Sequence, residues 1–157
     1  MSSPVIEFLH LLATVTWIGG MIYTILVLMP SLTAMDPPLR GRLMGTASRR
    51  FSIIAWSSIV VLLVTGYLKT PSGMLFDTSS TYGITLLLKH FVFLIMLIIG
   101  ILITFLIVPK IGKLAPKPGE QPSAEFLQAQ KQLPVFAVTN MVLGIVILFI
   151  ISILRPQ

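Results

Sequence analysis

The sequence contains four apolar segments that are each long enough to cross a lipid bilayer as a helix. The third includes the stretch LLLKHFVFLIMLIIGILITFLIV, in which a lysine and a histidine are the only charged or titratable residues. Because a membrane helix needs about 20 mostly apolar residues, the sequence predicts spans at 5–31, 51–68, 82–108 and 134–154. Backbone polar groups in lipid are satisfied only within helices or closed barrels. We therefore predict an all-α integral membrane protein, a four-helix bundle formed as a single domain over residues 1–157.

The composition excludes a water-soluble globule. Of the residues, 55% are hydrophobic and 10% charged, whereas soluble domains average about 25% charged residues. The chain has no cysteine, which excludes disulfides, thiolate metal sites and cysteine nucleophiles. The first apolar segment has no basic region before it and no small-residue cleavage site after it. It is therefore expected to be a permanent span rather than a removed signal peptide.

The loop charges predict an orientation in which both termini face outward. Excess lysine and arginine marks the cytoplasmic side, and eight such residues lie in the first and third loops: Arg40, Arg42, Arg49, Arg50, Lys110, Lys113, Lys117 and Lys131. The opposite side has only Lys69 and Arg155 near span ends. A basic net charge distributed in this way indicates contact with a lipid bilayer and not with nucleic acid. The third loop also contains PSAEFLQAQKQL, which predicts a short connecting helix.

The two histidines of the chain, His10 and His90, both lie inside apolar segments. Counted from Val5 and from Ile84, both rings are expected roughly 8–10 Å below their helix starts, in two helices that run in the same direction. Two imidazoles at one depth suit the two axial positions of a haem b iron. They also suit copper, with thioether help from Met21, Met29 or Met74. The alternative is that each histidine only forms hydrogen bonds between helices.

Two further residues are candidates for holding a flat cofactor. Trp17 follows His10 at helical spacing, so the two share one face of the first helix. Lys89 lies about 100° around its helix from His90 and has a stem long enough to reach the membrane edge. There it would face haem propionates or, as the alternative, lipid headgroups. Gly19, Gly20 and Gly66 allow close approach of helices, as small residues generally do in membranes.

Several segments resemble the CopD-like copper-resistance membrane proteins. EFLHLLATVTWIGGMIYTILVLMPSL is similar to the first span of that family, and RRFSIIAWSSIVVLLVTGYL is similar to its second. LLLKH and NMVLGIVIL resemble the third and fourth spans. The resemblance implies a protein that takes up or handles copper.

The same four-helix pattern is similar to the HemJ-type protoporphyrinogen oxidases. That resemblance implies haem b binding and roles for His10 in the first span and Lys89 in the third. His90 departs from the family pattern, which favours ligation of haem by two histidines and weakens transfer of the oxidase activity.

The leading hypothesis from the sequence is therefore a membrane b-type cytochrome that carries electrons, without catalytic residues of its own. It would bind haem b through His10 and His90, near Lys89 and Trp17, and exchange electrons with other redox subunits or a quinone. Copper uptake or handling and a HemJ-like oxidase are the alternatives. We expect the protein in the cytoplasmic membrane of a bacterium or archaeon, with a homo-oligomer as one possible assembly.

Overall fold

The part of the chain that the structure describes folds into four helices that are long and apolar enough to cross a membrane. The computed structural model describes residues 3–70, 78–117 and 119–153, with the backbone alone at 37, 38 and 153, so the candidates Met74 and Arg155 lie outside the described residues. The four helices are named span 1 (Pro4–Ala34), span 2 (Leu39–Lys69), span 3 (Thr81–Lys113) and span 4 (Ala124–Ser152). No strand occurs in the described ranges. The prediction of an all-α integral membrane protein with four spanning helices is confirmed, and the orientation of the helices stays a prediction.

Spans 1 and 3 each contain a π-helical segment just before a proline. Span 1 consists of the α-helix Pro4–Tyr23, the π-helix Thr24–Leu28, the short helix Met29–Ser31 and the 3₁₀ turn Leu32–Ala34. Span 3 consists of the α-helix Thr81–Ile101, the π-helix Leu102–Ile107 and the α-helix Val108–Lys113.

The prolines explain both π-helical segments. A proline lacks an N–H, and its ring clashes with the carbonyl four residues earlier in a regular α-helix. The residue before each proline donates its N–H five residues back instead, from Met29 to the carbonyl of Thr24 and from Val108 to that of Ile103. This wider turn accommodates the ring. Span 3 therefore continues beyond Pro109, where the apolar pattern placed its end, and span 1 continues through Pro30 to Ala34, three residues past its predicted end at residue 31.

The other two helices begin well before their apolar segments. The second helix is Pro37–Lys69, so the basic residues of the first loop lie on its first turns. The fourth is Ala124–Ile153, and the predicted connecting helix is its first part. Ser123 begins it by accepting a hydrogen bond from the N–H of Phe126 at 3.2 Å, as an N-cap residue does. The helix continues through Pro134.

The chain divides into two compact units, Met1–Leu87 and Leu88–Gln157. In the first unit, span 1 packs against span 2. The buried side chains of these two spans include Ala13, Trp17, Ile18, Met21, Ala55, Ser58, Ile59, Leu62 and Thr65. They recur every three or four residues, which defines one apolar face on each helix.

In the second unit, span 4 packs against the π-helix and final α-helix of span 3. The buried side chains of this unit include Val92, Met96, Ile99, Ile107, Phe126, Ala129, Asn140, Met141 and Ile147. The Oδ1 atom of Asn140 is buried and has no hydrogen-bond partner among the described residues.

Large apolar side chains are also exposed along all four spans. Examples are Val15, Ile53, Phe105 and Phe149, each more than half exposed. In water such surfaces would be costly, since each square ångström of exposed apolar area costs about 25 cal/mol. Facing lipid tails, they carry no such cost, so this exposure is what helices that span a membrane are expected to have.

Candidate functional site

His10 is bound to the neighbouring span by a hydrogen bond. Its Nδ1 atom lies 2.8 Å from the hydroxyl oxygen of Thr65. His10 is half-buried on span 1, whereas Thr65 is buried on span 2. The bond joins the apolar faces of the two helices at a point about 9 Å along span 1 from Pro4. The imidazole is therefore oriented by packing within the first unit.

The hydrogen bonds of Thr65 determine which nitrogen of His10 carries a proton. Its hydroxyl oxygen lies 2.6 Å from the carbonyl oxygen of Val61, and two oxygens at that distance require a proton between them. Since a hydroxyl has one proton, Thr65 donates to Val61 and accepts from Nδ1–H of His10. In the neutral ring the lone pair is then on Nε2. This is the tautomer in which a histidine binds a metal through Nε2.

An ion pair lies one helical turn from this bond, towards the start of span 1. The Nζ atom of Lys69 is 2.7 Å from Oε2 of Glu7. Glu7 precedes His10 by three residues, and Lys69 follows Thr65 by four, so the two contacts are stacked between the same helices. The side chains of Glu7 and Lys69 are 44% and 26% exposed. The ion pair is thus the more accessible of the two contacts.

The glycines near this site differ in whether the neighbouring atoms leave room for a side chain. A Cβ atom on Gly66 would lie 4.0 Å from Cε1 of His10, an ordinary contact distance. A Cβ atom on Gly20 would overlap the ring of Phe51, and one on Gly19 would have no described atom within 4 Å. Close helix approach therefore depends on Gly20, not on Gly19 or Gly66.

Deeper along span 1, the face of His10 continues with the half-buried Thr14 and then with buried residues. Thr14 donates its hydroxyl proton to the backbone carbonyl of His10 at 2.7 Å. Trp17 and Met21 follow and are 4% and 6% exposed. Met21 lies eleven residues from His10, about 16 Å along the helix. Its thioether is too far away to share one metal ion with the imidazole.

Lys89 and His90 lie in the second unit, at its first residues. Both are half-buried, and the Nδ1 atom of His90 is buried. Their neighbours Leu88 and Phe91 are 45% and 60% exposed, so the two polar residues occupy the less exposed side of span 3. Because the helix begins at Thr81, His90 is about 13 Å along it, further than the count from Ile84 gave. The pairing of His90 with His10 stays a prediction.

Sequence reasoning did not select Glu7, Thr65 or the pairing of Lys69. One signal was present, because Glu7 is the only acidic residue in 4–34 and is three residues from His10. Thr65 and Lys69 are four residues apart and Glu7 and His10 are three apart, so each pair is separated by about one turn of its helix. Which residues meet across two helices depends on their register, and one sequence does not determine it.

The donor set is small. In the part of the chain that the structure describes, no group of three or more His, Asp or Glu side chains is arranged to hold a metal. Within the first unit, the imidazole Nε2 of His10 and the carboxylate of Glu7 are one turn apart on one helix. This arrangement provides one nitrogen and one oxygen donor for a cation near the end of the span.

A comparison with protein families gives one match over spans 2 to 4. The family model described as "Copper resistance protein D" matches residues 45–154, which is more than two thirds of the chain. The match includes Thr65, Lys69, Lys89 and His90. It begins at residue 45 and therefore does not include span 1. Searches of curated proteins and of solved structures gave no match. With its four spanning helices and this match, the chain is an integral membrane protein that belongs to the copper resistance protein D family.

Proposed function

We propose that the protein takes up copper through the membrane and that Nε2 of His10 binds the ion on its way. The observation that carries this proposal is the hydrogen bond from His10 to Thr65, which assigns the lone pair to Nε2. Membership of a copper-resistance family supplies the identity of the ion.

The surroundings of His10 support a metal-binding role. Titratable side chains within membrane spans are costly and are usually functional. Histidines that bind metals almost always donate the other ring N–H to a neighbouring acceptor, which fixes the ring. The hydroxyl of Thr65 is such an acceptor, and it is itself fixed by its bond to Val61. Imidazole is a suitable ligand for copper. Because copper is the substrate of this proposed uptake, a site with few ligands is suitable, since it can release the ion again.

The test is a copper-binding measurement on the purified protein in nanodiscs. Wild type is expected to retain copper through desalting, and His10→Ala is expected to lose it. Leu9→Ala serves as the matched control, since Leu9 is adjacent in the chain and 40% exposed. Copper retention by His10→Ala equal to that of wild type would contradict the proposal.

The second candidate function is electron transfer by a bound haem b, which the two-histidine pattern favours. His10 in the same tautomer offers Nε2 to a haem iron as it does to copper. The predicted second ligand is His90, with Lys89 and Trp17 beside the cofactor. The family match gives haem, cytochrome activity and redox or quinone partners no support.

The visible spectrum of the same preparation separates the two candidates. A reduced-minus-oxidised spectrum of haem b that is lost in both His10→Ala and His90→Ala would replace copper uptake with electron transfer. The HemJ-like oxidase has a separate test, complementation of a strain that lacks protoporphyrinogen oxidase.

A further inference from the structure

The ion pair between Glu7 and Lys69 lies where a cation approaching His10 from the start of span 1 would arrive. On the predicted orientation this end of span 1 faces outward. The carboxylate is the more exposed partner, and the pair is one turn from His10. An exposed ion pair of this kind contributes little to stability. Lys69 is therefore a partner that another cation can replace.

The chemistry of Glu7 and His10 together suits Cu(II). Residues three apart on a helix have Cβ atoms about 5–6 Å apart, so both side chains can reach one ion after Glu7 rotates away from Lys69. Nitrogen and oxygen donors favour Cu(II), whereas thioethers favour Cu(I). Met21, the buried thioether on this face, is too distant to take part.

We infer that Glu7 is the first ligand of the incoming copper ion and that Lys69 competes with copper for it. In the resting state the ammonium of Lys69 occupies the carboxylate. Copper displaces the ammonium, binds Glu7 and then reaches Nε2 of His10 one turn deeper. This inference rests on the proposed function, because it assumes that copper binds His10.

Two single variants give opposite predictions. Half-saturation of Cu(II) uptake into proteoliposomes is measured for wild type, Glu7→Gln and Lys69→Met. Removing the competitor in Lys69→Met is expected to lower the half-saturating concentration by about two- to fivefold, the range that exposed ion pairs span. Removing the ligand in Glu7→Gln is expected to raise it at least as much. Lys69→Arg keeps the competing charge and is therefore expected not to lower the half-saturating concentration.

A purely structural ion pair predicts a different result. Both Glu7→Gln and Lys69→Met would then raise the half-saturating concentration, or leave it unchanged, and either outcome overturns the inference. Glu125→Gln and Lys131→Met repeat the same charge changes in the helix segment before Pro134. If Lys131→Met lowered the half-saturating concentration as much as Lys69→Met, a general charge effect would replace the specific one.

His10→Ala distinguishes this inference from the proposed function. If His10→Ala abolishes uptake while Glu7→Gln and Lys69→Met shift in the same direction, the inference fails and the proposed function stands. If His10→Ala takes up Cu(II) like wild type, the proposed function itself fails. Gel-filtration profiles that match wild type establish that each variant is folded before uptake is compared.

Discussion

Replacing Thr65 by valine tests the bond that orients His10. Valine has nearly the same shape as threonine, so the change removes the hydroxyl and leaves the packing in place. The 2.8 Å contact with Nδ1 of His10 and the 2.6 Å bond to the carbonyl of Val61 are both lost. The Nδ1–H group then lacks this acceptor in a largely apolar surrounding, and the ring is free to take the other tautomer.

The expected size of the effect follows from these two contacts. A buried donor that loses its partner costs about 1–3 kcal/mol of folding free energy. Losing the bond to the carbonyl of Val61 adds little to this cost, since the main-chain position of that carbonyl within the helix is unchanged. Removing the neighbour that fixes a metal-binding histidine typically costs 10–100-fold in metal affinity. Copper affinity is therefore expected to fall about 10–100-fold in Thr65→Val.

The assay is a copper titration of the protein in nanodiscs against a competing chelator. Thr65→Ser keeps the hydroxyl and is expected to bind copper like wild type. Thr85→Val removes an exposed hydroxyl with a similar bond to its own helix, 2.8 Å to the carbonyl of Thr81, and is expected to have no effect. A folded Thr65→Val that binds copper as tightly as wild type would refute the assignment of the His10 tautomer.

Three further predictions concern the fold. Gly20→Ala should lower the free energy of unfolding by about 1–3 kcal/mol, because the added Cβ overlaps the Phe51 ring. Gly19→Ala should raise the free energy of unfolding by about 0.5–1 kcal/mol. Equal effects of the two variants in denaturant titrations would contradict this. Asn140→Leu should raise the free energy of unfolding by about 1–3 kcal/mol, since Oδ1 is buried without a partner among the residues that the structure describes, and a lower midpoint would show that the amide is needed. Pro30→Ala should restore α-helical bonding and slow amide hydrogen exchange at 24–29; unchanged exchange would exclude proline as the cause of the π-helix.

The number of spans and the all-α class followed from segment length, because lipid forces the backbone to satisfy its own hydrogen bonds. The positions of the helix ends could not be derived from segment length. Pro109 ends the apolar pattern of the third segment, yet the π-helical turn before it lets span 3 continue to Lys113. The amphipathic stretch before Pro134 has the composition of a separate surface helix, yet it is the first part of span 4.

Part of the candidate site could be predicted from the sequence. An imidazole at residue 10, inside an apolar segment, is conspicuous because such groups are costly in lipid. Its partner Thr65 is 55 residues away and is one of many threonines in the chain. The pairing of Glu7 with Lys69 likewise depends on the register of spans 1 and 2. That register is set by packing details such as the contact of Gly20 with Phe51, which a hydropathy pattern does not contain.

The most direct test of copper uptake is a flux measurement on proteoliposomes that contain only this protein. External copper is supplied, and the copper trapped inside the vesicles is measured over time for wild type and His10→Ala. The proposal predicts accumulation by wild type above protein-free vesicles and no accumulation above that background by His10→Ala. Wild-type vesicles that trap no more copper than protein-free vesicles, or equal accumulation by the two proteins, would contradict it.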